Sequence, residues 1–257
     1  MPISVAILGT GNLASHLLAA FDKSNIECAT LIVRDPSKGR DLIQRMGMKA
    51  SVHAEKDLRT LKADVIMLAV PEGALIEIQQ HYRFDPSQLV VHTSGAEPLQ
   101  SLNHERCGVF YPLQSFTKGV TVDFKKIPIL IEANDPETAM VLKELAQAIS
   151  HTILDVNSEE RLTLHLAAVM VNNFTNHFYT LTDDLLSKTP FSLELLFPLI
   201  EETIRKMKAI GAKEAQTGPA RRGDVKTIER HKDLLNDELM REIYELITNS
   251  IRRRYES

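Results

Sequence analysis

The chain has 257 residues, of which 44% are hydrophobic and 25% charged, and its formal net charge is −4. This composition is typical of a globular protein and predicts neither a nucleic-acid partner nor binding to an anionic membrane. Its apolar runs are too short for a membrane span or a signal peptide, and its two cysteines form no C-x-x-C motif. We therefore expect a cytoplasmic protein without a disulfide framework, and no metal site is predicted.

The chain opens with an apolar strand, residues 4–8, that leads directly into a glycine-rich turn and an amphipathic helix. The turn has the pattern G-x-G-x-x-A and consists of Gly9, Thr10, Gly11, Asn12, Leu13 and Ala14. Gly9 allows the tight turn, Gly11 lets a pyrophosphate approach the backbone, and the small Ala14 lets the helix lie close to the sheet. We predict that these six residues bind a dinucleotide; the alternative is a turn whose glycines serve only the fold.

Strands and helices then alternate over the first 153 residues or so. The predicted strands cover residues 4–8, 29–33, 65–70, 89–93, 107–111 and 129–132. The predicted helices cover residues 13–23, 38–46, 74–81 and 136–149. Because continuous apolar runs are typical of parallel strands buried on both faces, the pattern predicts an α/β fold with a Rossmann-like, mostly parallel sheet.

The residues after the second strand predict which dinucleotide binds. Arg34 follows about 20 residues after the glycine turn, and Ser37 and Lys38 come shortly after it. An acidic residue at this position binds a free 2′-hydroxyl, whereas Arg accommodates a 2′-phosphate. The neighbouring Asp35 leaves NAD open, and an ordinary charged turn is the alternative. Arg34, Ser37 and Lys38 favour NADP over NAD as the cofactor.

Two further strand ends are predicted to line the cofactor crevice, which lies at the carboxyl edge of such a sheet. Ala69, Val70 and Pro71 end one strand and are predicted to lie against the cofactor. Ser94 and Gly95 follow the next strand and are predicted to face the nicotinamide, although an ordinary Ser-Gly turn explains them equally well.

A third strand end is predicted to contact the substrate. Tyr111 would donate a hydrogen bond and Gln114 would orient a polar group, with aromatic packing as the equally good alternative. His92, at the end of the preceding strand, is expected to be a hydrogen-bonded strand residue and not a catalytic one.

The sequence changes character after residue 153, because almost no strand-like segment follows. The predicted helices cover residues 159–186, 193–209, 227–235 and 237–254. We place a boundary near Asn157, with Ser158 as the N-cap of the first helix. The chain is thus predicted to contain a dinucleotide-binding domain, residues 1–156, and an all-helical substrate and dimerisation domain, residues 157–257.

The long helix after this boundary carries a polar line on an otherwise apolar surface. At about 100° per residue, His165, Asn172 and Asn176 fall on one face. We predict that His165 transfers a proton and that Asn172 orients the substrate, with Asn176 as a further substrate contact. The alternative is hydrogen bonding between helices of a bundle.

A loop at residues 215–224 contains side chains that can bind a ligand, which a simple linker does not need. Thr217 and Arg221 are predicted to bind the substrate, since Arg clamps a carboxylate or phosphate well. A dimer contact is an equally good explanation for Arg221 and for its neighbour Arg222, because protein interfaces also favour Arg.

These motifs together resemble a known family. They are the glycine turn, His92-Thr93-Ser94-Gly95-Ala96, the segment from Phe110 to Phe116, Ala167-Ala168-Val169 with Asn172-Asn173-Phe174, and the segment from Gln216 to Arg221. In this order they resemble the NADP oxidoreductases that pair a Rossmann-like domain with a helical C-terminal domain of unknown function. More distantly, the chain is similar to pyrroline-5-carboxylate reductases, β-hydroxyacid dehydrogenases and deazaflavin-dependent NADP reductases. The resemblance implies a homodimer through the C-terminal helices, with the substrate site between the domains.

Two positions depart from these relatives. The close family often has His where this chain has Tyr111. The β-hydroxyacid dehydrogenases use a lysine four residues before an Asn, and Ala168 stands at that distance before Asn172. A lysine mechanism is therefore not expected.

The sequence as a whole predicts an NADP-dependent oxidoreductase that transfers hydride between the nicotinamide and a small polar carbonyl, hydroxyl or imine compound. A protein that binds NADP(H) without chemistry, as a sensor or an assembly partner, is the alternative, because fold alone does not give function.

Overall fold

The computed structural model describes residues 3–24 and 26–255. Its strands are β1 Ser4–Leu8, β2 Glu27–Ile32, β3 Ser51–His53, β4 Val65–Leu68, β5 Leu89–His92, β6 Cys107–Pro112, β7 Ile129–Ala133 and β8 Ile153–Asp155. Within the described residues these form one eight-stranded sheet in the order β3-β2-β1-β4-β5-β6-β7-β8. Neighbouring strands are parallel except β6 and β7. The predicted Rossmann-like, mostly parallel sheet is confirmed.

Eleven α-helices occur in the described part of the chain. They are α1 Asn12–Asp22, α2 Pro36–Met46, α3 Leu75–His81, α4 Pro136–Ile149, α5 Ser158–Ala168, α6 Thr175–Leu186, α7 Phe197–Ile210, α8 Ala212–Ala215, α9 Pro219–Arg222, α10 Val225–Leu234 and α11 Glu238–Tyr255. Short 3-10 turns lie at Glu72–Ala74, Leu99–Ser101, Phe124–Lys126 and Leu193–Leu196, and Val169–Phe174 is π-helical. None of these described helices is long and apolar enough to cross a membrane.

The strand register explains why distant residues meet at one edge of the sheet. One row of paired residues crosses five parallel strands and consists of Ile32, Leu8, Leu68, His92 and Val109. The residues that follow this row lie at the carboxyl edge, where ligands bind in such sheets. The glycine turn, Arg34, Ala69 to Pro71, Ser94 and Tyr111 all come within a few residues of it.

Both faces of the sheet are covered, as the apolar runs predicted. In β1, Val5 and Ile7 pack on the side of α1, α2 and α4, whereas Ala6 and Leu8 pack on the side of α3. Leu17 of α1 is fully buried, and burial of a leucine side chain contributes about 1.5–3 kcal/mol. The two apolar layers thus cover the sheet on both faces.

Two strands escape sequence prediction because they are short and lie at the ends of the sheet. β3 and β8 have three residues each, and several of their residues stay exposed. Edge strands of this length need not be continuous apolar runs, so their sequences carry little signal.

The N-cap of α5 was predicted wrongly. Asn157, and not Ser158, accepts a hydrogen bond from the backbone N–H of Glu160, and the Glu160 carboxylate accepts one from the Asn157 N–H. The hydroxyl of Ser158 instead donates to Glu132, at 2.9 Å. A residue three positions after the cap completes a capping box, which fixes the start of the helix.

The predicted helix over residues 159–186 is not a continuous α-helix. α5 and α6 are joined by the π-helical segment Val169–Phe174. A π-helix bonds to the fifth residue along the chain, so it turns less per residue than an α-helix. The single polar face predicted for His165, Asn172 and Asn176 assumed an uninterrupted α-helix, and that assumption is wrong.

The chain forms two compact units, the first up to Asn173 and the second from Phe174 onward. The sheet and α1 to α5 belong to the first unit, and α6 to α11 form the helical second unit. The domain division at residues 156 and 157 stays a prediction. Among the described residues of the second unit, only Ala220, Ile228 and Thr248 are buried.

Candidate functional site

Gly9 is required by the fold itself. Its φ of 129° lies in the region that favours glycine, and a Cβ there would lie 2.3 Å from the backbone oxygen of Ala69. The Gly9 N–H donates to the carbonyl of Ile32 at 3.1 Å, which ties the turn to β2. Gly9 therefore allows the tight turn by which the chain leaves β1 between the neighbouring strands β2 and β4.

Gly11 has open space where a ligand can approach. A Cβ at Gly11 would meet no other atom within 4 Å, so the protein itself does not require a glycine there. Gly11 is the N-cap of α1, and the first turn of α1 has neither a side-chain cap nor an acidic residue. The N–H groups of this helix start are thus suited to an anion such as a pyrophosphate.

A cavity of about 280 Å³ opens beside this turn. The predicted cofactor residues that line it are Gly9, Thr10, Gly11, Arg34, Lys38, Ala69, Val70 and Pro71. Lys56, His81 and Tyr82 also line it and were missed, because they come from a loop and a helix end that carry no motif. Arg34, Lys38 and Lys56 line the cavity with three cationic side chains, against the two carboxylates of Asp35 and Glu77, and this excess of positive charge fits a ligand with phosphates.

Asp35 lies next to Arg34 on the wall of the same cavity and is the N-cap of α2. Its carboxylate caps α2 by accepting hydrogen bonds from the Ser37 backbone N–H at 2.9 Å and the Ser37 hydroxyl at 2.6 Å. These bonds lower the pKa of Asp35. The carboxylate that left NAD open thus uses its Oδ1 to cap α2. The Ser37 hydroxyl is used by Asp35, and Ser37 does not line the cavity.

The other three predicted residues of the glycine turn contact the rest of the protein. The Asn12 side chain donates to the carbonyl of Phe116 at 3.0 Å, Leu13 packs against the core, and Ala14 is fully buried. None of the three lines the 280 Å³ cavity. They shape the turn, and a direct contact with the cofactor stays a prediction.

Tyr111 near the end of β6 and His165 of α5 form a tyrosine–histidine pair beside the turn that follows β5. The Tyr111 hydroxyl and His165 Nδ1 are 2.9 Å apart, and the two rings meet edge to face. A Cβ on Gly95 would lie 2.5 Å from His165 Nδ1 and 2.8 Å from Tyr111 Cζ. Only a glycine at position 95 leaves room for this hydrogen bond. The structure thus brings together Gly95, Tyr111 and His165, which the sequence placed in three separate motifs.

Arg161 holds the helix that carries His165. It is fully buried, forms an ion pair with Glu132 of β7, and donates to the carbonyl of Glu97 at 2.5 Å. Ser158 adds a bond to the same carboxylate. His165 follows one helical turn after Arg161, so both side chains are on the face of α5 that meets the sheet. Arg161 was not among the predicted site residues. The one sign of its role in the sequence is its position four residues before His165.

The Ser94 side chain forms its hydrogen bonds within the protein. Its hydroxyl donates to Glu72 Oε1 at 2.5 Å and accepts the backbone N–H groups of Ala96 and Glu97, and only 8% of the residue is exposed. This network leaves the hydroxyl no further proton to donate to a cofactor. Ser94 therefore fixes the turn that presents Gly95, and its predicted contact with the nicotinamide gains no support from this geometry.

His92 is a hydrogen-bonded strand residue, as expected. It is fully buried, and its Nδ1 accepts the backbone N–H of Ser94 at 3.2 Å. Burial, followed by the charge of Arg161, lowers the pKa of His92 to about 4. The imidazole is therefore neutral near pH 7 and adds no charge to the site.

Two predicted substrate residues of the first unit are exposed and take no part in the hydrogen bond between Tyr111 and His165. Gln114 accepts the backbone N–H of Ser115 at 2.9 Å, and Asn172 lies in the π-helical segment. Asn176 is exposed on α6 of the second unit. Their contacts with a substrate stay predictions.

The predicted loop of the second unit contains a helical turn, α9. Arg221 donates to the carbonyl of Lys213 at 3.1 Å and lies 4.6 Å from the centre of the Tyr255 ring. The guanidinium thus ties α9 to the end of α11. Thr217 is exposed and lines an apolar cavity of about 300 Å³ within this unit.

Two family models match the sequence. Residues 4–94 match the family described as NADP oxidoreductase, coenzyme F420-dependent. Residues 127–251 match a domain of unknown function (DUF2520). The two matches follow the order that the resemblance of the motifs implied. No curated protein matches the chain.

Solved structures share the fold over nearly the whole chain. A protein of Bacteroides fragilis, assigned as an NADP oxidoreductase, is 36% identical, with 98% of each chain covered and a TM-score of 0.85. A protein of Thermotoga maritima is 22% identical, again with 98% of each chain covered and a TM-score of 0.73. A reductive aminase of Aspergillus terreus, in complex with NADPH, is 12% identical over 99% of this chain and 95% of that one, with a TM-score of 0.71.

Proposed function

Because the chain belongs to the NADP oxidoreductase family and is an NADP-dependent oxidoreductase, we propose that it transfers hydride between the nicotinamide and a small polar carbonyl, hydroxyl or imine compound. The observation that carries this proposal is the Tyr111–His165 hydrogen bond at the carboxyl edge of the sheet. Such an edge is where ligands bind in this architecture, and a hydrogen-bonded pair of this kind can deliver a proton.

The residues of the first unit fit the cofactor in two places. Gly11 and the start of α1 would take the pyrophosphate, and Arg34 with Lys38 would take the 2′-phosphate. Val70 and Pro71 would lie against the cofactor farther along the same crevice. When bound, NADPH supplies the hydride.

The Tyr111–His165 pair would supply the proton that balances hydride transfer. Burial, with the nearby Glu72 carboxylate as a second cause, raises the pKa of Tyr111, so its hydroxyl stays protonated near neutral pH. In the direction of reduction, Tyr111 donates a proton to the substrate oxygen or nitrogen and recovers one through His165. In the direction of oxidation the pair accepts that proton. Gln114, Asn172, Asn176, Thr217 and Arg221 remain the predicted substrate contacts.

The test is steady-state oxidation of NADPH with a panel of small ketones, aldehydes and imines. We expect His165→Ala and Tyr111→Phe to lower kcat about 10²–10⁴-fold, the usual contribution of a positioned proton donor. NADPH affinity should not change in either variant. The exposed His151 gives a matched control, and His151→Ala should leave turnover unchanged. Unchanged turnover in His165→Ala would exclude the pair as the proton donor.

The cofactor assignment has its own test. Arg34→Ala should weaken NADPH binding by at least about tenfold, the loss expected for one charge-assisted phosphate contact, and should leave NADH binding unchanged. Titration of both nucleotides by fluorescence measures this difference. Equal losses for the two nucleotides would show that Arg34 does not bind the 2′-phosphate.

We propose that the second unit forms a homodimer through its helices. Its described residues expose large apolar side chains, among them Phe191, Leu195, Phe197, Leu199 and Leu246. Exposed large apolar side chains of this kind mark protein–protein interaction sites. The cytoplasmic location stays a prediction from the sequence.

A further inference from the structure

Glu72 presents an unpaired carboxylate beside the tyrosine–histidine pair. It follows β4 and Pro71, begins the 3-10 turn Glu72–Ala74, and is exposed. Its Oε1 accepts the Ser94 hydroxyl at 2.5 Å, which fixes the position of the side chain. No ion pair among the described residues includes Glu72.

A short chain of contacts connects this carboxylate to the pair. Glu72 bonds to Ser94, the next residue is Gly95, and a Cβ on Gly95 would contact both His165 and Tyr111. The negative charge of Glu72 is also one cause of the raised pKa of Tyr111. The carboxylate and the proton donor therefore belong to one site.

The other charges around this site do not neutralise Glu72. The elements that surround the pair are β5, the turn after it, β6, β7 and α5, and among their described residues Arg161 is the only Lys or Arg. Arg161 is buried and paired with Glu132, and His92 is neutral near pH 7. Glu97 adds a further negative charge, although its carboxylate accepts the Ser101 hydroxyl at 2.9 Å. An anionic substrate is thus disfavoured, and a cationic one is favoured.

We propose that Glu72 is a specificity-determining residue that binds a protonated nitrogen, so that the substrate class is an imine reduced as its iminium form. This inference rests on the proposed function and narrows its range of carbonyl, hydroxyl and imine compounds. The Tyr111–His165 pair donates a proton to the imine nitrogen, which forms an N–H bond and a positive charge. Hydride from the reduced nicotinamide forms a C–H bond, and the π electron pair of the C=N bond moves to nitrogen, which gives a neutral amine and NADP⁺. Glu72 stabilises the positive charge between these two events.

The test compares three substrates of similar size with NADPH: a five-membered cyclic imine, the corresponding cyclic ketone, and pyruvate as an anionic ketone. Glu72→Gln removes the charge but keeps an oxygen that accepts the Ser94 hydroxyl. We expect kcat/KM for the imine to fall on the order of tenfold or more, and kcat/KM for the neutral ketone to change less than about twofold. The exposed Glu105 provides the control, and Glu105→Gln should change neither value.

A binding measurement separates this inference from the proposed function. Calorimetry on the complex with NADP⁺ measures the affinity of pyrrolidinium, a cationic amine, and of cyclopentanol, its neutral counterpart. We expect Glu72→Gln to weaken pyrrolidinium at least about tenfold and to leave cyclopentanol and NADPH affinities unchanged.

Three outcomes would overturn the inference: pyruvate as the best substrate, equal losses for imine and ketone in Glu72→Gln, or no difference between the two ligands in calorimetry. Equal losses would assign Glu72 a structural role, and a weaker NADPH affinity would assign it to the cofactor. If none of the three substrates oxidises NADPH, the proposed function fails for these classes. Selective binding of pyrrolidinium that depends on Glu72 would then still support the role of Glu72 in binding a cationic nitrogen, although not the reduction of an imine.

Discussion

The two units of this chain achieve stability in different ways. In the first unit the sheet is covered on both faces, and residues such as Ile7, Leu17 and Phe110 are fully buried. In the described part of the second unit only three residues are buried, and large apolar side chains such as Leu199 are more than half exposed. Amphipathic helices bury their apolar faces against a second surface, and this agrees with the proposed homodimer of the second unit, whereas the first unit has a buried core of its own.

The two units also differ in where their polar side chains are held by neighbouring groups. In the first unit a buried ion pair, a buried neutral histidine and a tight glycine turn lie under the candidate site. In the second unit, by contrast, the ion pair of Arg205 and Glu202 lies at the surface. A site needs groups that are held by their surroundings, and the first unit supplies them.

The largest expected difference in stability is between loss of the buried Arg161–Glu132 pair and loss of the exposed Arg205–Glu202 pair. Arg161→Ala leaves the Glu132 carboxylate without its partner in a buried setting, which should lower the free energy of unfolding by about 3–5 kcal/mol. Arg205→Ala in α7 removes an exposed pair and should cost less than about 1 kcal/mol. Urea unfolding measures both values. Similar losses for the two variants would show that the buried pair does not anchor α5.

The next effect is a pH dependence that belongs to the first unit. Below pH 6.5 the unfolded chain protonates His92, whereas the folded protein keeps it neutral until about pH 4. The unfolded state then binds more protons, so stability falls as pH decreases from about 6.5 to about 4, by about 3 kcal/mol from this residue.

Urea unfolding between pH 7 and pH 4 measures this slope, and His92→Gln serves as its control. The amide does not titrate, so the variant should lose most of the dependence. A wild-type slope that persists unchanged in His92→Gln would assign the effect to other groups.

A third prediction tests the exposed apolar surface of the second unit. Leu199→Glu should dissociate the proposed homodimer, since burial of a leucine contributes about 1.5–3 kcal/mol. Ile76 of the first unit is equally exposed, at 66% against 64% for Leu199, and Ile76→Glu is the matched control. Sedimentation velocity gives the mass of each variant. A dimer that survives Leu199→Glu and dissociates in Ile76→Glu would place the interface in the first unit.

The smallest expected effects on stability come from substitutions of Gly9 and Gly11, which should differ from each other. Gly9→Ala forces a side chain against the Ala69 carbonyl in an unfavourable conformation and should lower stability by about 1–3 kcal/mol. Gly11→Ala should lower stability by less than about 1 kcal/mol, because nothing lies within 4 Å of the added methyl group. NADPH affinity, however, should fall in Gly11→Ala if the pyrophosphate approaches there. Thermal unfolding and NADPH titration of both variants check this contrast, and an unchanged affinity in Gly11→Ala would argue against the predicted contact.

Much of the first unit follows from sequence because its signals are local. Continuous apolar runs specify buried parallel strands, and G-x-G-x-x-A at the end of β1 specifies a turn with an open helix start. Arg34 was identified by its place after β2. These features depend on residues within one element, and six of the eight described strands were therefore predicted.

The polar line on the long helix shows where local reasoning fails. Its alignment depended on a constant turn per residue, and the π-helical segment Val169–Phe174 changes that turn. The apolar periodicity gives no sign of the segment, and a π-helix is rare enough that an uninterrupted α-helix is the ordinary expectation.

The sequence by itself determined the alternation of strands and helices, the glycine turn and the preference for NADP. Only the tertiary structure decided that Tyr111 meets His165, that Arg161 lies buried against Glu132, and that Glu72 accepts the hydroxyl of Ser94 beside them. Tyr111 and His165 are 54 residues apart in the sequence, and such pairs arise from strand order and helix packing. Periodicity constrains which face of an element is apolar, but the partner of each polar side chain depends on how distant elements are brought together.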